Sequence, residues 1–328
     1  MKCINKNNRF IRTAAVWIIT IGILLSGCSV KEAMPEYMSV YEKTSGNRQL
    51  YKGEFFAQNL CVATGNIGLE EYAGDTSVHA AGLFDLNRQN VLYADRIHER
   101  IFPASTTKVL TAYIALKYGN MEEIVTVSEN ATNFEADASV CGLRPGDQLS
   151  LYDLVCGLTL ASGNDAGVAI AEHISGSVEA FAQKMNEEAL ALGATNSHFV
   201  NPHGLHDDNH YTTAYDLYLF FNAAVKDPRY LEILSMTSYT GTITATDGSI
   251  SNPQWDATNY YSAGAVMMPE GIRVLGGKTG TTDEAGNCVI LYNEDLNGNP
   301  YISVIMGALD KPSLYEDMSR LLSAGIKK

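Results

Sequence analysis

The chain has 328 residues, of which 46% are hydrophobic and 18% charged, and its formal net charge is −14 at pH 7. This length and composition predict a globular protein with a sizeable core, built as one large domain or as a domain with an inserted lobe. The negative charge disfavours binding to nucleic acid and electrostatic adhesion to anionic lipids.

The first 27 residues are typical of a secretory signal peptide. A basic leader (Lys2, Lys6, Arg9 and Arg12) is followed by an apolar run over residues 14–25. This run is shorter than the ~20 residues that a membrane-spanning helix needs, and small residues follow it directly. We therefore expect the rest of the chain to lie outside the cytoplasm. Removal of residues 1–27 would change the formal net charge from −14 to −18.

The end of this leader, Leu25-Ser26-Gly27-Cys28, resembles the bacterial lipobox, in which small residues precede a cysteine that becomes lipidated. The alternative is an uncleaved anchor with an incidental cysteine. Because a body this acidic does not adhere to anionic lipid by charge, we expect acyl chains on Cys28 to hold it at the cell membrane. Residues 28–50 lack periodicity and predict a tether, followed by one domain over residues 51–328.

Six cysteines are present, of which Cys3 would leave with the signal peptide and Cys28 would carry lipid. The other four are Cys61, Cys141, Cys156 and Cys288. An extracytoplasmic compartment permits disulfides, but a core of this size does not need them. We expect free or buried thiols, with a Cys141–Cys156 bridge as the alternative. No cysteine or histidine spacing indicates a metal site, and we expect no metal or cofactor.

The body of the chain begins with a predicted strand pair and a helix. Residues 78–86 predict a strand, residues 87–90 a turn, and a return strand begins at Val91. A helix is then expected to begin at about Pro103 and to end near Gly119.

The remaining elements change from helices to strands at about Ser238. Residues 120–235 predict a mainly helical block, which includes helices over 178–192 and 215–225. Strands are expected at 239–245, 271–278, 287–292 and 301–307, and a last helix over 318–326. This order predicts an α/β protein in which a helical lobe interrupts a sheet, with a ligand cleft between the two parts.

Three short segments have residues suited to nucleophilic catalysis: Ser105-Thr106-Thr107-Lys108, Ser162-Gly163-Asn164 and Lys278-Thr279-Gly280. Singly, each has an ordinary explanation: a solvated helix face, a cap of the following helix by Ser162 or Asn164, and a turn. Together, their order and spacing resemble the active-site triplet of penicillin-binding proteins and serine β-lactamases.

Four longer segments resemble the low-molecular-mass D-alanyl-D-alanine carboxypeptidases in particular. They are residues 101–108, 143–147, 160–166 and 199–205. The resemblance covers residues from about 77 to 326. It implies a β-lactamase/transpeptidase-like α/β fold, with an antiparallel sheet flanked by helices and a helical lobe. It also implies removal of the terminal D-alanine from peptidoglycan stem peptides through an acyl-enzyme, and acylation by β-lactam antibiotics.

Residue chemistry suggests a role for each group in such a site. Ser105 would be the nucleophile, and Lys108, one helical turn on, would be its base if burial and a nearby cation lower its pKa. Lys278 would supply that cation or pair with the substrate carboxylate, and Ser162 would relay a proton to the leaving amine. Substrate-binding residues are expected at Asn164, Lys278, Thr279, Gly280 and Thr281, with the backbone N–H groups of Ser105 and Thr281 as oxyanion donors.

Two residues near these motifs keep simpler interpretations. Cys141 departs from the family pattern and is either a small buried thiol or a thiol that borders the cleft. His203 is expected to be a hydrogen-bonded loop residue rather than a base. For His98, His206 and His210, no spacing suggests a metal site.

Competing functions differ in what the sequence would need. A class A β-lactamase uses a glutamate in a Glu-x-x-Leu-Asn loop as a second base, and no such segment lies between Asn164 and Lys278. Fast β-lactam turnover is therefore not expected. The open alternatives are a non-catalytic penicillin-binding sensor or wall-binding protein, and a D,D-endopeptidase or transpeptidase. We expect a serine D,D-carboxypeptidase with water as the acceptor.

Overall fold

A five-stranded antiparallel sheet forms the centre of the protein, and the computed structural model describes residues 57–326. The signal peptide, Cys28 and the tether lie outside the described residues. The five strands are β1 Ala80–Asp85, β2 Asn90–Asp95, β9 Ile272–Thr282, β10 Gly286–Asp295 and β11 Pro300–Ala308. Their order in the sheet is β2-β1-β11-β10-β9, so β9 is an edge strand.

Six helices between β2 and β9 form the expected lobe, and one helix follows the last strand. The lobe helices are α1 Lys108–Tyr118, α2 Leu151–Thr159, α3 Asn164–Ser175, α4 Val178–Ala191, α5 Ala214–Ala224 and α6 Pro228–Ser235. The last helix is α7 Lys311–Gly325. The prediction of a sheet interrupted by a helical lobe is therefore confirmed.

The middle strands β10 and β11 are buried on both faces. Ile290 and Val304 belong to the core that includes α1 and α5, whereas Val289 and Ile305 belong to the core that includes α7. Because alternate residues of a strand point to opposite faces, a nearly continuous apolar run is the pattern of a strand covered by helices on both sides. The sheet thus separates two hydrophobic cores.

The helical block begins later than the sequence predicted. Residues 120–150 contain the short strands β3 Ile124–Thr126 and β4 Gln148–Ser150 and a 3₁₀ turn, Asn130–Thr132, but no α-helix. Gly142 and Gly146 have positive φ, and Pro145 lies between them, so this segment cannot continue a helix. β3 and β4 join the two-residue strands β6 Ile243–Thr244 and β7 Ile250–Ser251 in a second sheet, and β5 Ser238–Thr240 pairs with β8 Gln254–Asp256.

The four cysteines of the described region are all free and buried. Cys141 and Cys156 do not form the bridge that was the alternative. Within residues 57–326, no helix is long and apolar enough to span a membrane.

Candidate active site

The centre of the site is a buried lysine amine beside a serine hydroxyl. Ser105 lies in a 3₁₀ turn, Ala104–Thr107, that leads directly into α1. We call it the nucleophile turn, because Ser105 is the predicted nucleophile. Lys108 is the first residue of α1 and is 1% exposed, and its Nζ lies 2.8 Å from Ser105 Oγ. The two side chains therefore share a face, as their three-residue spacing predicts.

Two further acceptors surround the Lys108 amine. Nζ lies 2.7 Å from Asn164 Oδ1 and 2.8 Å from the backbone oxygen of His203. When Lys108 is neutral, two N–H groups suit these two oxygens, and the nitrogen lone pair is left for the Ser105 hydroxyl proton. The sequence analysis did not predict these two contacts. They bring the second motif and the loop of His203 close to Lys108 and Ser105.

A second buried lysine lies on β9. Lys278 is 1% exposed, and its Nζ donates hydrogen bonds to Ser162 Oγ at 2.9 Å and to the Thr279 backbone oxygen at 2.9 Å. The third motif is thus bonded to the second through Ser162. The five residues Ser105, Lys108, Ser162, Asn164 and Lys278 form two hydrogen-bonded groups within one site.

Burial determines the electrostatics of both lysines. Loss of solvent lowers the pKa of Lys108 well below its ordinary value, and the nearby charge of Lys278 lowers it further. Burial also lowers the pKa of Lys278, to about 7. Desolvation disfavours the charged form of an amine, and two like charges oppose each other. Both effects favour the neutral amine of Lys108.

Ser162 does not cap the helix that follows it, although the sequence allowed that interpretation. Gly163 is the N-cap of α3, and no side chain caps that helix. Ser162 instead has a left-handed backbone with φ of 60°, a conformation that is uncommon for residues other than glycine. This conformation accompanies the hydrogen bond between its hydroxyl and Lys278, whereas Asn164 begins the helix and reaches Lys108.

A residue with a left-handed backbone also precedes Ser105. Ala104 has φ of 46°, and its backbone oxygen lies where a side chain at Gly204 would start, 1.8 Å from an ideal Cβ. Only glycine fits at 204, because the closest atom is rigid backbone. The sequence analysis gave His203 a loop role but missed the role of Gly204, which lets this loop contact the nucleophile turn.

The buried carboxylate of Asp165 holds a loop in place on the other side of the site. Asp165, 2% exposed, accepts hydrogen bonds from the backbone N–H groups of Cys141 (2.8 Å) and Leu143 (3.1 Å). The adjacent Asn164 N–H donates to the Ser139 backbone oxygen at 2.8 Å. Residues 139–143 are therefore held against the turn that contains Ser162. Cys141 is a buried thiol, as its simpler interpretation predicted, and sequence reasoning did not single out Asp165.

His210 is buried and contacts the nucleophile turn through the hydroxyl of Thr107. Its Nδ1 accepts from the Val200 N–H at 3.2 Å, which leaves Nε2 to donate to Thr107 Oγ1 at 2.8 Å. Burial lowers its pKa to about 3, so the ring is neutral at neutral pH. This contact was not predicted, because the sequence gives His210 no spacing relationship to Thr107.

The strand β9 runs past Ser105 through the predicted substrate-binding residues. An ideal Cβ at Gly280 would lie 2.9 Å from the Ser105 nitrogen and 3.0 Å from the Pro103 oxygen, so the strand and the nucleophile turn are in close contact. Thr279 Oγ1 lies 2.8 Å from Thr258 Oγ1. Thr281 is exposed, and its hydroxyl donates to Asn287 Oδ1 at 3.0 Å.

Residues 69–310 match the family model described as Peptidase_S11, D-alanyl-D-alanine carboxypeptidase. The chain is 34% identical over 251 residues to D-alanyl-D-alanine carboxypeptidase DacA of Haemophilus influenzae, covering 74% of this chain and 60% of that protein. It is 39% identical over 168 residues to DacF of Bacillus subtilis, covering 50% of this chain and 41% of that protein. The chain thus spans less than two thirds of the length of these curated relatives.

Solved structures confirm the expected fold. The crystal structure of the Streptomyces K15 DD-transpeptidase superimposes with a TM-score of 0.71 at 26% identity, covering 77% of this chain and 98% of that chain. A penicillin-binding protein homologue of Mycobacterium tuberculosis superimposes with a TM-score of 0.68 at 26% identity, covering 80% and 94%. The antiparallel sheet with a helical lobe is therefore the transpeptidase-like architecture.

The contact between Gly280 and Ser105 predicts a sensitive position. A methyl group at 280 would push β9 away from the nucleophile turn, and a displacement of about 1 Å can slow a reaction by ~10²-fold. Gly280→Ala is expected to slow acylation by a penicillin on that scale, as measured by the rate of fluorescent labelling. Gly68→Ala is the control, because nothing lies within 4 Å of its ideal Cβ. Equal labelling rates in both variants would contradict the proposed close contact.

Proposed function

Because the chain belongs to the D-alanyl-D-alanine carboxypeptidase family, we propose that it removes the terminal D-alanine from peptidoglycan stem peptides through an acyl-enzyme on Ser105. The observation that carries this proposal is the 2.8 Å contact between Ser105 Oγ and the buried amine of Lys108. A serine hydroxyl is a weak nucleophile until a base takes its proton. A neutral lysine amine within hydrogen-bond distance can take it.

The chemistry follows from this arrangement. Lys108 takes the hydroxyl proton, and Ser105 Oγ attacks the carbonyl carbon of the penultimate D-alanine. The developing oxyanion is stabilised by backbone N–H groups, for which we propose Ser105 and Thr281. Ser162 passes a proton to the leaving nitrogen, and the bond between the two alanines breaks. Water then hydrolyses the ester and regenerates Ser105.

We assign substrate-binding roles from the positions of the residues on β9 and at the start of α3. Because β9 is an edge strand, an extended peptide can pair with its free side. Lys278, Thr279 and Thr281 would bind the terminal carboxylate, and Asn164 would hold the scissile amide. Gly280 lets β9 lie close to the turn that contains Ser105. β-Lactam antibiotics, which also present a reactive amide carbonyl, would acylate the same serine.

We also propose that the protein works outside the cytoplasm, attached to the cell membrane by lipid on Cys28. The support is the order of basic leader, apolar run and Leu25-Ser26-Gly27-Cys28. A penicillin-acylated sensor would use the same serine and the same base, so release of D-alanine from a peptide is what separates the enzyme from the sensor.

The first test concerns the nucleophile. Wild-type protein is expected to release D-alanine from a pentapeptide and to be labelled by a fluorescent penicillin, and Ser105→Ala is expected to do neither. Mass spectrometry of the peptide products and gel fluorescence measure the two results. Ser235→Ala, at an exposed serine that ends α6, is the control. Labelling that persists in Ser105→Ala would exclude the assignment, and labelling without D-alanine release would favour the sensor.

The second test separates the two lysines. Arginine does not lose its proton at ordinary pH, so Lys108→Arg is expected to slow acylation by ~10²–10⁴-fold, the usual contribution of a positioned base. Lys278→Arg keeps a charge and is expected to retain part of the activity. Thermal unfolding of each variant shows whether it has folded. Full activity in Lys108→Arg would overturn the mechanism. Complete loss of activity in both variants would remove the distinction between a base and a cation.

The pH dependence follows from the same two groups. The rate constant for acylation is expected to rise with pH as Lys108 loses its proton, because the reaction needs a neutral amine. It is expected to fall above about pH 7, where Lys278 loses its charge. Lys278→Arg should abolish the alkaline fall and keep the acid limb. An alkaline fall at the same pH in Lys278→Arg would assign that limb to another group.

The third test concerns the anchor. Mass spectrometry of the wild-type N-terminal fragment is expected to show Cys28 as the first residue with the added mass of acyl chains. Cys28→Ala is expected to release the protein from membranes or to leave it unprocessed, as measured by fractionation. A wild-type fragment without lipid mass would contradict the proposal.

A further inference from the structure

A threonine from outside the three motifs joins two of them. Thr258 is exposed and lies two residues beyond the end of β8. Its backbone N–H donates to the Leu160 oxygen at 3.2 Å, and its hydroxyl lies 2.8 Å from Thr279 Oγ1 on β9. Thr258 is therefore bonded both to the segment that leads to Ser162 and to the residue that follows Lys278.

These bonds close a ring with the contact between Lys278 and Ser162. Lys278 Nζ donates to Ser162 Oγ at 2.9 Å. Ser162 is two residues from Leu160, which accepts from Thr258, and the Thr258 hydroxyl contacts Thr279, the chain neighbour of Lys278. A ring this short keeps its side chains close together. We call Ser162, Thr258, Lys278 and Thr279 the β9 corner.

The β9 corner has more hydrogen-bond donors than acceptors. The hydroxyls of Thr258 and Thr279 have two protons, and their mutual contact uses one of them. Neither hydroxyl has another hydrogen-bond partner within residues 57–326. A protonated Lys278 has three N–H groups, of which two are donated, to Ser162 Oγ and to the Thr279 backbone oxygen. One hydroxyl proton and one ammonium proton are therefore left for a ligand.

An anion with two acceptor oxygens suits these donors. Lys278 is buried, and an unpaired N–H on a buried ammonium costs free energy, so an acceptor that reaches it is favoured. A carboxylate accepts hydrogen bonds at both oxygens, so one oxygen can face Lys278 while the other faces the threonine hydroxyls. Hydrogen bonds to an ionised group are also stronger than those between neutral groups.

We propose that Thr258 binds the terminal carboxylate of the substrate, together with Lys278 and Thr279. This inference rests on the proposed function of Ser105, and it adds a residue that none of the three motifs contains. On binding, the two threonine hydroxyls exchange their mutual bond for bonds to the carboxylate, and the third N–H of Lys278 donates to the same group. The β9 corner thereby selects a substrate that ends in a free carboxylate over one whose end is neutral.

Two thioesters isolate the charge of the leaving group. They share one acyl part that ends in D-alanine, and their leaving thiols end in a carboxylate or in the neutral carboxamide. Because a thiol is a good leaving group, release of the thiol can be measured for both compounds. Wild-type enzyme is expected to have a kcat/KM roughly a hundredfold higher for the carboxylate, the scale of two hydrogen bonds to a charged group.

Thr258→Val removes the hydroxyl and keeps the shape of the side chain. It is expected to lower kcat/KM for the carboxylate about tenfold, the scale of one hydrogen bond to a charged group, and to leave the carboxamide unchanged. Thr258→Ser keeps the hydroxyl and should keep most of the wild-type ratio. Thr246→Val, at an exposed threonine between β6 and β7, is the control. Thermal unfolding shows whether each variant has folded.

A second pair of variants separates binding by Thr258 from positioning of Thr279. If Thr258 acted only by orienting the Thr279 hydroxyl, Thr258→Val would have no further effect once Thr279→Val has removed that hydroxyl. Direct binding predicts a further several-fold decrease in the ratio of carboxylate to carboxamide when Thr258→Val is added to Thr279→Val. No further decrease in the folded double variant would overturn direct binding.

The remaining outcomes distinguish failure of this proposal from failure of the proposed function. A wild-type ratio of one, or an equal loss for both thioesters in Thr258→Val, would overturn the role of Thr258 while release of D-alanine from a pentapeptide continues. A loss in Thr258→Ser as large as that in Thr258→Val would assign the effect to packing and also overturn it. If wild-type enzyme releases no D-alanine and cleaves neither thioester, the proposed function itself is wrong and the role of Thr258 fails with it.

Discussion

Two lysine amines buried in one site are the constraint on which the rest of the structure depends. Lys108 and Lys278 are each 1% exposed. Neither amine can be hydrated, so each must find its hydrogen-bond partners in the protein, and their mutual repulsion favours a neutral form. Both amines would be protonated in the unfolded chain at neutral pH, and their lowered pKa values in the fold therefore reduce stability at any pH below about 10. The burial of apolar side chains in the two large cores on either side of the sheet offsets this loss of stability.

Two partners of these amines depend on unusual backbone geometry close to the site. Lys108 uses the His203 oxygen, in a loop that can contact the nucleophile turn because Gly204 has no side chain. Lys278 uses the hydroxyl of Ser162, a residue held in a left-handed conformation. Strain of this kind persists only where the surroundings over-determine it. Asp165 supplies part of that restraint through its bonds to residues 141 and 143.

The sequence predicts the residues with reactive side chains better than it predicts the residues that hold them in position. Ser105, Lys108 and Lys278 could be proposed because side chains of reactive types at a characteristic spacing form a recognisable pattern. The strands β10 and β11 could be found because burial on both faces leaves long apolar runs. Asp165 and Gly204 could not, because one acts through distant backbone amides and the other through the absence of a side chain. Residues 120–150 were expected to be helical, but they form two short strands and loops, and the long-range bonds that hold residues 141 and 143 cannot be inferred from local composition.

The four buried thiols have a consequence for how the chain must fold. Cys61, Cys141, Cys156 and Cys288 remain unpaired in the native structure. In the unfolded chain all four are accessible, and an oxidising environment would let them pair in arrangements that the native packing does not contain. In such an environment the four thiols must therefore be buried before they are oxidised. During refolding in the laboratory, native folding would compete with the same oxidation of thiols. A reducing buffer would therefore favour recovery of native protein.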